Sequence, residues 1–183
     1  MRIDRYRPGA LTREQKVLYD EISGGRRSQG RQRFSLVGDD GALEGPFNAM
    51  LLAPKVGLAL QELGAAIRYG TTLSPRVREG SILLVAAEWD CGFERKAHEP
   101  IAADCGLSDE QIREIRSGRT PSGLDEVETA ALDVTRYLIE ARDLSGDEFA
   151  KYSDLLGVET IFELSTLVGY YSILALQLRI FRV

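Results

Sequence analysis

The chain has few of the residues that disulfide frameworks, metal clusters and nucleic-acid surfaces need. Its 183 residues include one histidine and two cysteines, and 28 acidic residues outnumber 23 basic ones. Two cysteines do not make the disulfide framework of a small secreted domain. A net charge of −5 disfavours general binding to nucleic acid, which requires a basic surface. We therefore expect no nucleic-acid partner.

Long apolar runs are also scarce. The most apolar one, LSTLVGYYSILALQL, extends from Leu164 to Leu178 and is bracketed by Glu163 and Arg179. It is shorter than the roughly 20 residues that cross a bilayer, so we expect a buried or interfacial helix and no membrane partner. The N-terminal sequence MRIDRYRPGALTREQ lacks the apolar run of a secretory signal. We expect a cytoplasmic protein with reduced cysteines.

Basic residues are concentrated near the N-terminus. The first 33 residues contain nine basic and four acidic side chains. This positive arm is expected to meet the negative body of a neighbouring subunit. The loop that follows, RRSQGRQRFSLVGDDGALEGP, is glycine-rich and basic, but no strand leads into it and no GK[ST] follows. It is typical of a surface loop and gives only weak support for a phosphate cradle.

Helical patterns organise the rest of the chain, and no segment shows the alternation of a half-buried strand. Start signals include a capping-box pair at Thr12 and the Ser74–Pro75 pair, and glycines close several of the predicted helices. The final helix is predicted from about Val158 toward Phe181. The length fits one domain. We predict an all-α fold and a single domain over residues 1–183, with a basic arm and loop over 1–42.

One segment, EWDCGFERKAH, carries the residues with most chemical potential. Glu88, Cys91, Glu94 and His98 follow one another at spacings of three, three and four. On a helix this spacing would place two carboxylates, a thiol and the chain's only imidazole on one face. Such a group can transfer protons, bind a metal or take part only in structural hydrogen bonds. The spacing alone leaves these alternatives open.

Local signals make further predictions for this segment. The helix VREGSILLVAAE is apolar almost all round in its C-terminal half and is predicted to be central. Glu88 ends this helix, so it is expected to be buried, with its pKa raised by desolvation. Asp90 is expected to cap the next helix and to put Cys91 in its first turn, where the partial positive charge favours thiolate. Pro100 is expected to kink or restart this helix just beyond His98.

These residues resemble the active segment of the carboxymuconolactone decarboxylase family, which includes the AhpD-like alkylhydroperoxidases. In the peroxidase branch the motif is a Glu, then C-x-x-C, then x-x-x-H. Here Glu94 occupies the second cysteine position, which is more similar to the decarboxylase-like branch. The resemblance extends to LEGPFNAML, LSPRVREGSILLVAAE and ELSTLVGYY, and covers most of the chain beyond about residue 40.

The resemblance implies an all-helical fold, assembly into trimers or hexamers, and a cavity for a small molecule. It implies catalytic roles for His98, Glu94, Cys91 and Glu88. His98 would be the acid/base, Glu94 would orient it, Glu88 would be a second acid/base and Cys91 would donate a hydrogen bond or shape the pocket. The substrate-binding candidates are aromatic or polar: Phe47, Asn48, Trp89, Phe93 and Tyr170.

The glutamate at position 94 also bears on the reaction. A dithiol peroxidase needs a second thiol close to the first, whereas Cys105 lies 14 residues after Cys91, about 21 Å along a straight helix. The leading hypothesis is a lyase or isomerase that acts on a carboxylated lactone or a related compound. Thiol-redox work by Cys91 and non-catalytic ligand binding are the alternatives. No cofactor and no metal are expected.

Overall fold

A computed structural model describes residues 2–25 and 33–183. Most of the basic part of the predicted loop, including Arg26, Arg27 and Arg31, lies outside the described residues. Within the described ranges the chain forms nine α-helices and no β-strand, and its only extended pairing is an isolated bridge between Val37 and Leu43. The predicted all-α fold is confirmed.

The first helix begins at its predicted signal, and the next two begin with proline. Helix α1 (Arg13–Gly24) starts with a capping box in which the Thr12 hydroxyl accepts from the amide of Gln15 and the Gln15 side chain accepts from the amide of Thr12. Helices α2 (Pro46–Met50) and α3 (Pro54–Gly70) each begin with proline, whose fixed φ suits a first turn.

The remaining six helices, α4 to α9, follow one another along the chain. Serine hydroxyls cap α4, α6 and α8, and the carboxylate of Asp125 caps α7. Gly157, at φ 82°, ends α8 in a conformation that favours glycine. The bounds are α4 Pro75–Glu88, α5 Gly92–Asp104, α6 Asp109–Arg116, α7 Glu126–Glu140, α8 Gly146–Leu156 and α9 Val158–Phe181.

The chain divides into two compact units. The first contains the described residues up to Gly70 together with Leu174–Val183. In it α1 packs against α3, and Gly57 permits this approach because a Cβ there would lie 2.7 Å from the side chain of Leu18 on α1. The second unit is Thr71–Ile173. The assignment of the whole chain to a single domain stays a prediction.

The N-terminal arm is held within the first unit. The guanidinium of Arg5 donates to Asp40 at 2.8 Å and to Glu44 at 2.7 Å, and Arg7 lies 3.5 Å from Asp40. The hydrogen bond from Arg5 holds the pKa of Asp40 well below its usual range. These cations pair inside their own chain, and contact of the arm with a neighbouring subunit stays a prediction.

Helix α4 lies at the centre of the second unit. It packs against α5, α6 and α7, and every residue from Glu79 to Ala86 is buried. Gly80 allows α7 to come close, since a Cβ there would lie 3.1 Å from the side chain of Leu132. The apolar core around α4 consists of Leu83, Leu84, Ala102, Leu107, Ile112, Ile115 and Leu132. The prediction of a central α4 is confirmed.

Helix α9 is long and apolar enough to cross a membrane, with a mean hydropathy of 1.4 over its most apolar window, of which 44% is buried. Burial of this kind is also found in core helices of proteins that never enter a bilayer. Leu164, Leu167 and Tyr170 are buried, whereas Phe162 is 69% exposed. This mixture matches the predicted buried or interfacial helix, and the expected absence of a membrane partner stays a prediction.

Candidate active site

A short turn separates the two helices that carry the EWDCGFERKAH segment. Helix α4 ends at Glu88, Asp90 adopts a positive φ of 45°, and Cys91 is the N-cap residue of α5. The prediction that Asp90 caps α5 is wrong, because its backbone is in the left-handed region and Cys91 takes the N-cap position. Its carboxylate instead accepts from Arg95 at 2.8 Å. The helical spacing of the segment is interrupted at this turn.

Glu88 does not share the environment of the other predicted site residues. It is exposed at the C-terminal end of α4. The expectation of a buried carboxylate is wrong, because the buried part of α4 ends at Ala86 and does not include its last residue. A catalytic role for Glu88 stays a prediction without the burial that motivated it.

Glu94 and His98 are brought together as the spacing predicted. Both lie on α5, one helical turn apart, and they are only 3% and 5% exposed. Oε2 of Glu94 lies 3.4 Å from Nε2 of His98. Helix α5 continues through Pro100, so the helix does not restart beyond His98, and a kink at Pro100 stays a prediction.

The other nitrogen of His98 contacts a residue that the sequence analysis missed. Nδ1 lies 2.7 Å from Oε2 of Glu79, on α4, whose side chain is fully buried. The second carboxylate oxygen of Glu79 accepts from Nε of Arg78 at 3.3 Å. A signal existed in the sequence, since Glu79 is the one charged residue in the stretch EGSILLVA of a helix predicted to be central.

The two carboxylates determine the protonation of His98. Burial alone would lower its pKa, but the charge and hydrogen bond of Glu79, with the hydrogen bond and charge of Glu94, raise the pKa to about 9. The imidazole is therefore protonated at neutral pH. Glu79, His98 and Glu94 form a buried row of alternating charge, called here the Glu–His–Glu group.

One oxygen of this group has no partner in the described part of the chain. Oε1 of Glu94 is buried and makes no hydrogen bond there. Native proteins leave few buried polar atoms unsatisfied, and each such atom costs about 1–3 kcal/mol. This end of the Glu–His–Glu group is therefore the one that can accept a further hydrogen-bond donor.

Aromatic side chains lie on one side of the imidazole. The ring of Tyr171 meets His98 edge-on, with 5.5 Å between ring centroids, and Tyr170 packs edge-on against Tyr171 at 5.2 Å. Both tyrosines are buried. Trp89 caps α4 and donates from Nε1 to the hydroxyl of Ser172 at 3.3 Å. Phe93 is half-buried in the first turn of α5. Substrate contact by Tyr170, Trp89 and Phe93 stays a prediction.

Cys91 is buried, with 8% of its surface exposed, at the N-terminus of α5. Burial raises the pKa of its thiol, and the nearby charge of Glu94 adds to this, against the lowering effect of the Glu94 and Phe93 amides. The expected shift toward thiolate is wrong, because desolvation outweighs the helix N-terminus. Cys105 caps the other end of α5, so the helix separates the two sulfurs by about 20 Å.

The other two predicted substrate residues belong to the first unit. Phe47 and Asn48 lie on α2 and are buried. The Asn48 side chain donates to the carbonyl of Asp4 at 2.9 Å and accepts from the amide of Tyr6 at 3.0 Å. Asn48 thus holds the N-terminal arm, and substrate contact by Phe47 and Asn48 stays a prediction.

Glu88, Cys91 and His98 carry oxygen, sulfur and nitrogen atoms of the kinds that bind a metal ion. Over residues 2–25 and 33–183, no group of three or more His, Cys, Asp and Glu side chains is arranged to hold a metal ion. The exposed position of Glu88 accounts for the loss of that set.

Fold and site together define an all-α protein with a buried carboxylate–imidazole–carboxylate group. The sequence model of the carboxymuconolactone decarboxylase family matches residues 54–137, which include Glu79, Cys91, Glu94 and His98. This match supports the resemblance to the carboxymuconolactone decarboxylase family that the motif indicated. No curated protein matches the chain. Placement in the decarboxylase-like branch, which depends on Glu94, stays a prediction.

Proposed function

We propose that this protein is a small-molecule enzyme that transfers protons at carbon through the Glu–His–Glu group. The observation that carries the proposal is the burial of one protonated imidazole between the carboxylates of Glu79 and Glu94. A buried ion set of this kind costs desolvation energy, and groups with strongly perturbed pKa values are concentrated at catalytic sites. The family match supports a role of this general type.

The leading form of the proposal is a lyase or isomerase that acts on a carboxylated lactone or a related unsaturated compound. In a decarboxylation, the bond between the ring carbon and the carboxylate breaks, and its electron pair enters the conjugated framework as carbon dioxide leaves. The resulting dienolate needs a proton at carbon. The Glu–His–Glu group can supply it, because His98 carries an extra proton at neutral pH.

Thiol-peroxidase activity of Cys91 is the alternative. It needs a thiolate to attack the peroxide and a partner thiol to resolve the sulfenic acid. Burial raises the pKa of Cys91, and α5 holds Cys105 at its opposite end. Both features favour acid–base chemistry over a redox cycle within one chain. Simple ligand binding without turnover is the third reading and has no specific observation in its favour.

The assembly and location of the protein remain proposals. The resemblance to the family implies a trimer or hexamer, and a cytoplasmic location follows from the sequence prediction. Neither changes the chemistry of the Glu–His–Glu group, which lies entirely on α4 and α5.

The test is an assay of a carboxylated unsaturated γ-lactone with the purified protein, in the absence of any thiol. We expect carbon dioxide release by the wild type and a loss of about 100-fold or more in His98→Gln, since acid–base catalysis contributes factors of this size. Glu62→Gln, at an exposed glutamate of α3, is the matched control and should retain full turnover. Equal turnover by wild type and His98→Gln, or peroxide consumption that depends on Cys91, would contradict the proposal.

A further inference from the structure

The nitrogens of His98 are both occupied. Nδ1 lies 2.7 Å from Glu79, Nε2 lies 3.4 Å from Glu94, and the edge of Tyr171 packs against the ring. A substrate atom can reach neither nitrogen without displacing a carboxylate. The sequence predicted that His98 is the acid and that Glu94 orients it. The geometry does not favour this assignment of roles.

Glu94, in contrast to His98, has one polar atom without a partner in the described part of the chain. Its Oε2 is directed to His98, whereas its Oε1 is buried and has no hydrogen-bond partner among residues 2–25 and 33–183. The residue is 97% buried, so bulk water does not satisfy this oxygen in the ordinary way. The Glu–His–Glu group therefore has one end closed by Glu79 and one end open at Oε1 of Glu94.

We propose that Glu94 is the catalytic residue that exchanges the proton with the substrate, through Oε1, and that His98 and Glu79 are positioning residues that act through it. This inference rests on the proposed function. It assigns the direct contact to the residue that stands where the peroxidase branch of the family has its second cysteine.

The proton balance of a decarboxylation is complete on this path. Glu94 is ionised at rest, so the Nε2 proton of His98 first moves to its carboxylate. The carboxyl group then delivers this proton from Oε1 to the substrate carbon as the carbon–carboxylate bond breaks, which leaves Glu94 ionised again. Water returns a proton to the imidazole. In an isomerisation, Glu94 removes a proton from one carbon and returns it to another, with no net change.

The same geometry restricts the chemical class of the ligand. Glu79 and Glu94 are two carboxylates around one imidazolium, so a further negative charge beside Oε1 is disfavoured. The part of the substrate that meets Glu94 is therefore uncharged: an acidic C–H, an enol or a hydroxyl group. The carboxylate of a carboxylated substrate must be directed away from Oε1.

The first experiment needs no turnover and uses the wild-type protein. Propylene oxide, a small uncharged epoxide, is attacked by a carboxylate oxygen. A carbon–oxygen ester bond forms, the ring carbon–oxygen bond breaks, and the freed oxygen takes a proton from water or from an acid. Peptide mapping by mass spectrometry locates the ester. Glu88, which is exposed, gives the rate for an unassisted glutamate.

We expect Glu94 to be esterified at least about tenfold faster than Glu88, because Oε1 has no hydrogen-bond donor to displace and a small molecule held beside it meets the oxygen in a fixed orientation. Esterification of Glu94 at or below the rate of Glu88, or alkylation of His98 instead, would overturn the inference. If Glu94 is esterified but the protein does not turn over the lactone, the proposed function is refuted, whereas the reactivity of Oε1 is established.

The second experiment compares Glu94→Gln with His98→Gln in the lactone assay. Loss of the exchanging residue should reduce kcat by about 1,000-fold, within the range of acid–base catalysis, whereas His98→Gln should retain more activity and shift the pH profile. The reverse order, with Glu94→Gln the more active variant, would show that His98 contacts the substrate.

Discussion

Oε2 of Glu79 and Nδ1 of His98 lie 2.7 Å apart, although the two residues are 19 positions apart and belong to different helices. This contact fixes the orientation of the imidazole, because the ring must direct Nδ1 to α4 and Nε2 to Glu94. It also keeps the ring charged at neutral pH, since an adjacent buried carboxylate favours the protonated form. The chemistry proposed for this protein depends on that pair.

Removal of the buried carboxylate should be costly to the fold. In Glu79→Ala, His98 would lose its closer counter-charge inside the second unit, and breaking a buried ion pair costs about 3–5 kcal/mol. We expect the free energy of unfolding in urea to fall by this amount. Glu88→Ala, on the exposed end of the same helix, should change it by less than about 0.5 kcal/mol. Equal effects of the two substitutions would contradict the buried pairing.

The stability of the protein should decrease as the pH rises. The pKa of His98 is raised from 6.5 to about 9 on folding, so the folded state binds the proton more tightly than the unfolded state. The stabilisation is complete below the unfolded pKa and is lost as the pH rises through the folded pKa. It amounts to the order of 3 kcal/mol at about 1.4 kcal/mol per pH unit. Urea unfolding from about pH 6 to pH 10 measures it.

The histidine variant supplies the control for that titration. His98→Gln removes the titrating group, so its stability should depend less steeply on pH over the same interval. A wild-type protein that grows more stable between pH 6.5 and 9 would show that His98 is neutral in the folded state.

Cys91 should be a poor nucleophile at neutral pH. Burial raises its pKa, so the thiolate that attacks peroxides and disulfides is scarce. We expect hydrogen peroxide to leave Cys91 free of sulfenic acid under conditions that oxidise an exposed thiol. Glu94→Cys would create a C-x-x-C pair at the N-terminus of α5, a spacing that brings Cα atoms within the roughly 4.4–6.8 Å of bridged cysteines, and should permit a disulfide with Cys91. Rapid peroxide oxidation of wild-type Cys91 would favour the redox alternative.

Asn48 should be important for the N-terminal arm. Its side chain bonds to the backbone of Asp4 and Tyr6, and hydrogen bonds of this kind contribute about 0.5–1.5 kcal/mol each. Asn48→Leu should therefore speed hydrogen exchange at the amide of Tyr6. Unchanged exchange, combined with weaker substrate binding, would instead support the predicted ligand contact.

Helix boundaries were accessible from sequence because their causes are local. A capping box needs only residues three positions apart, so Thr12 indicated the start of α1 correctly, and the Ser74–Pro75 pair indicated the start of α4. The last helix was placed from Val158 to Phe181, as the structure has it. The arrangement of Glu94 and His98 followed in the same way, from a spacing of four within one helix.

The rest of the site was not accessible because it depends on tertiary contacts. The spacing of Glu88 and Cys91 looked helical, but the left-handed Asp90 breaks the helix between them. Glu79 contacts His98 only because α4 packs against α5, and no local pattern links the two residues. The burial of a lone charge in an apolar helix was the available signal, and it was attributed to the wrong glutamate.

The most direct test is the titration of His98 by NMR, which is unambiguous because the chain has one histidine. The ring resonances should report a pKa of about 9 in the wild type. Glu79→Gln should lower it by more than about one pH unit, equivalent to about 1.4 kcal/mol, while Glu88→Gln should leave it unchanged. A wild-type pKa at or below 6.5, or one that Glu79→Gln does not alter, would contradict the Glu–His–Glu group.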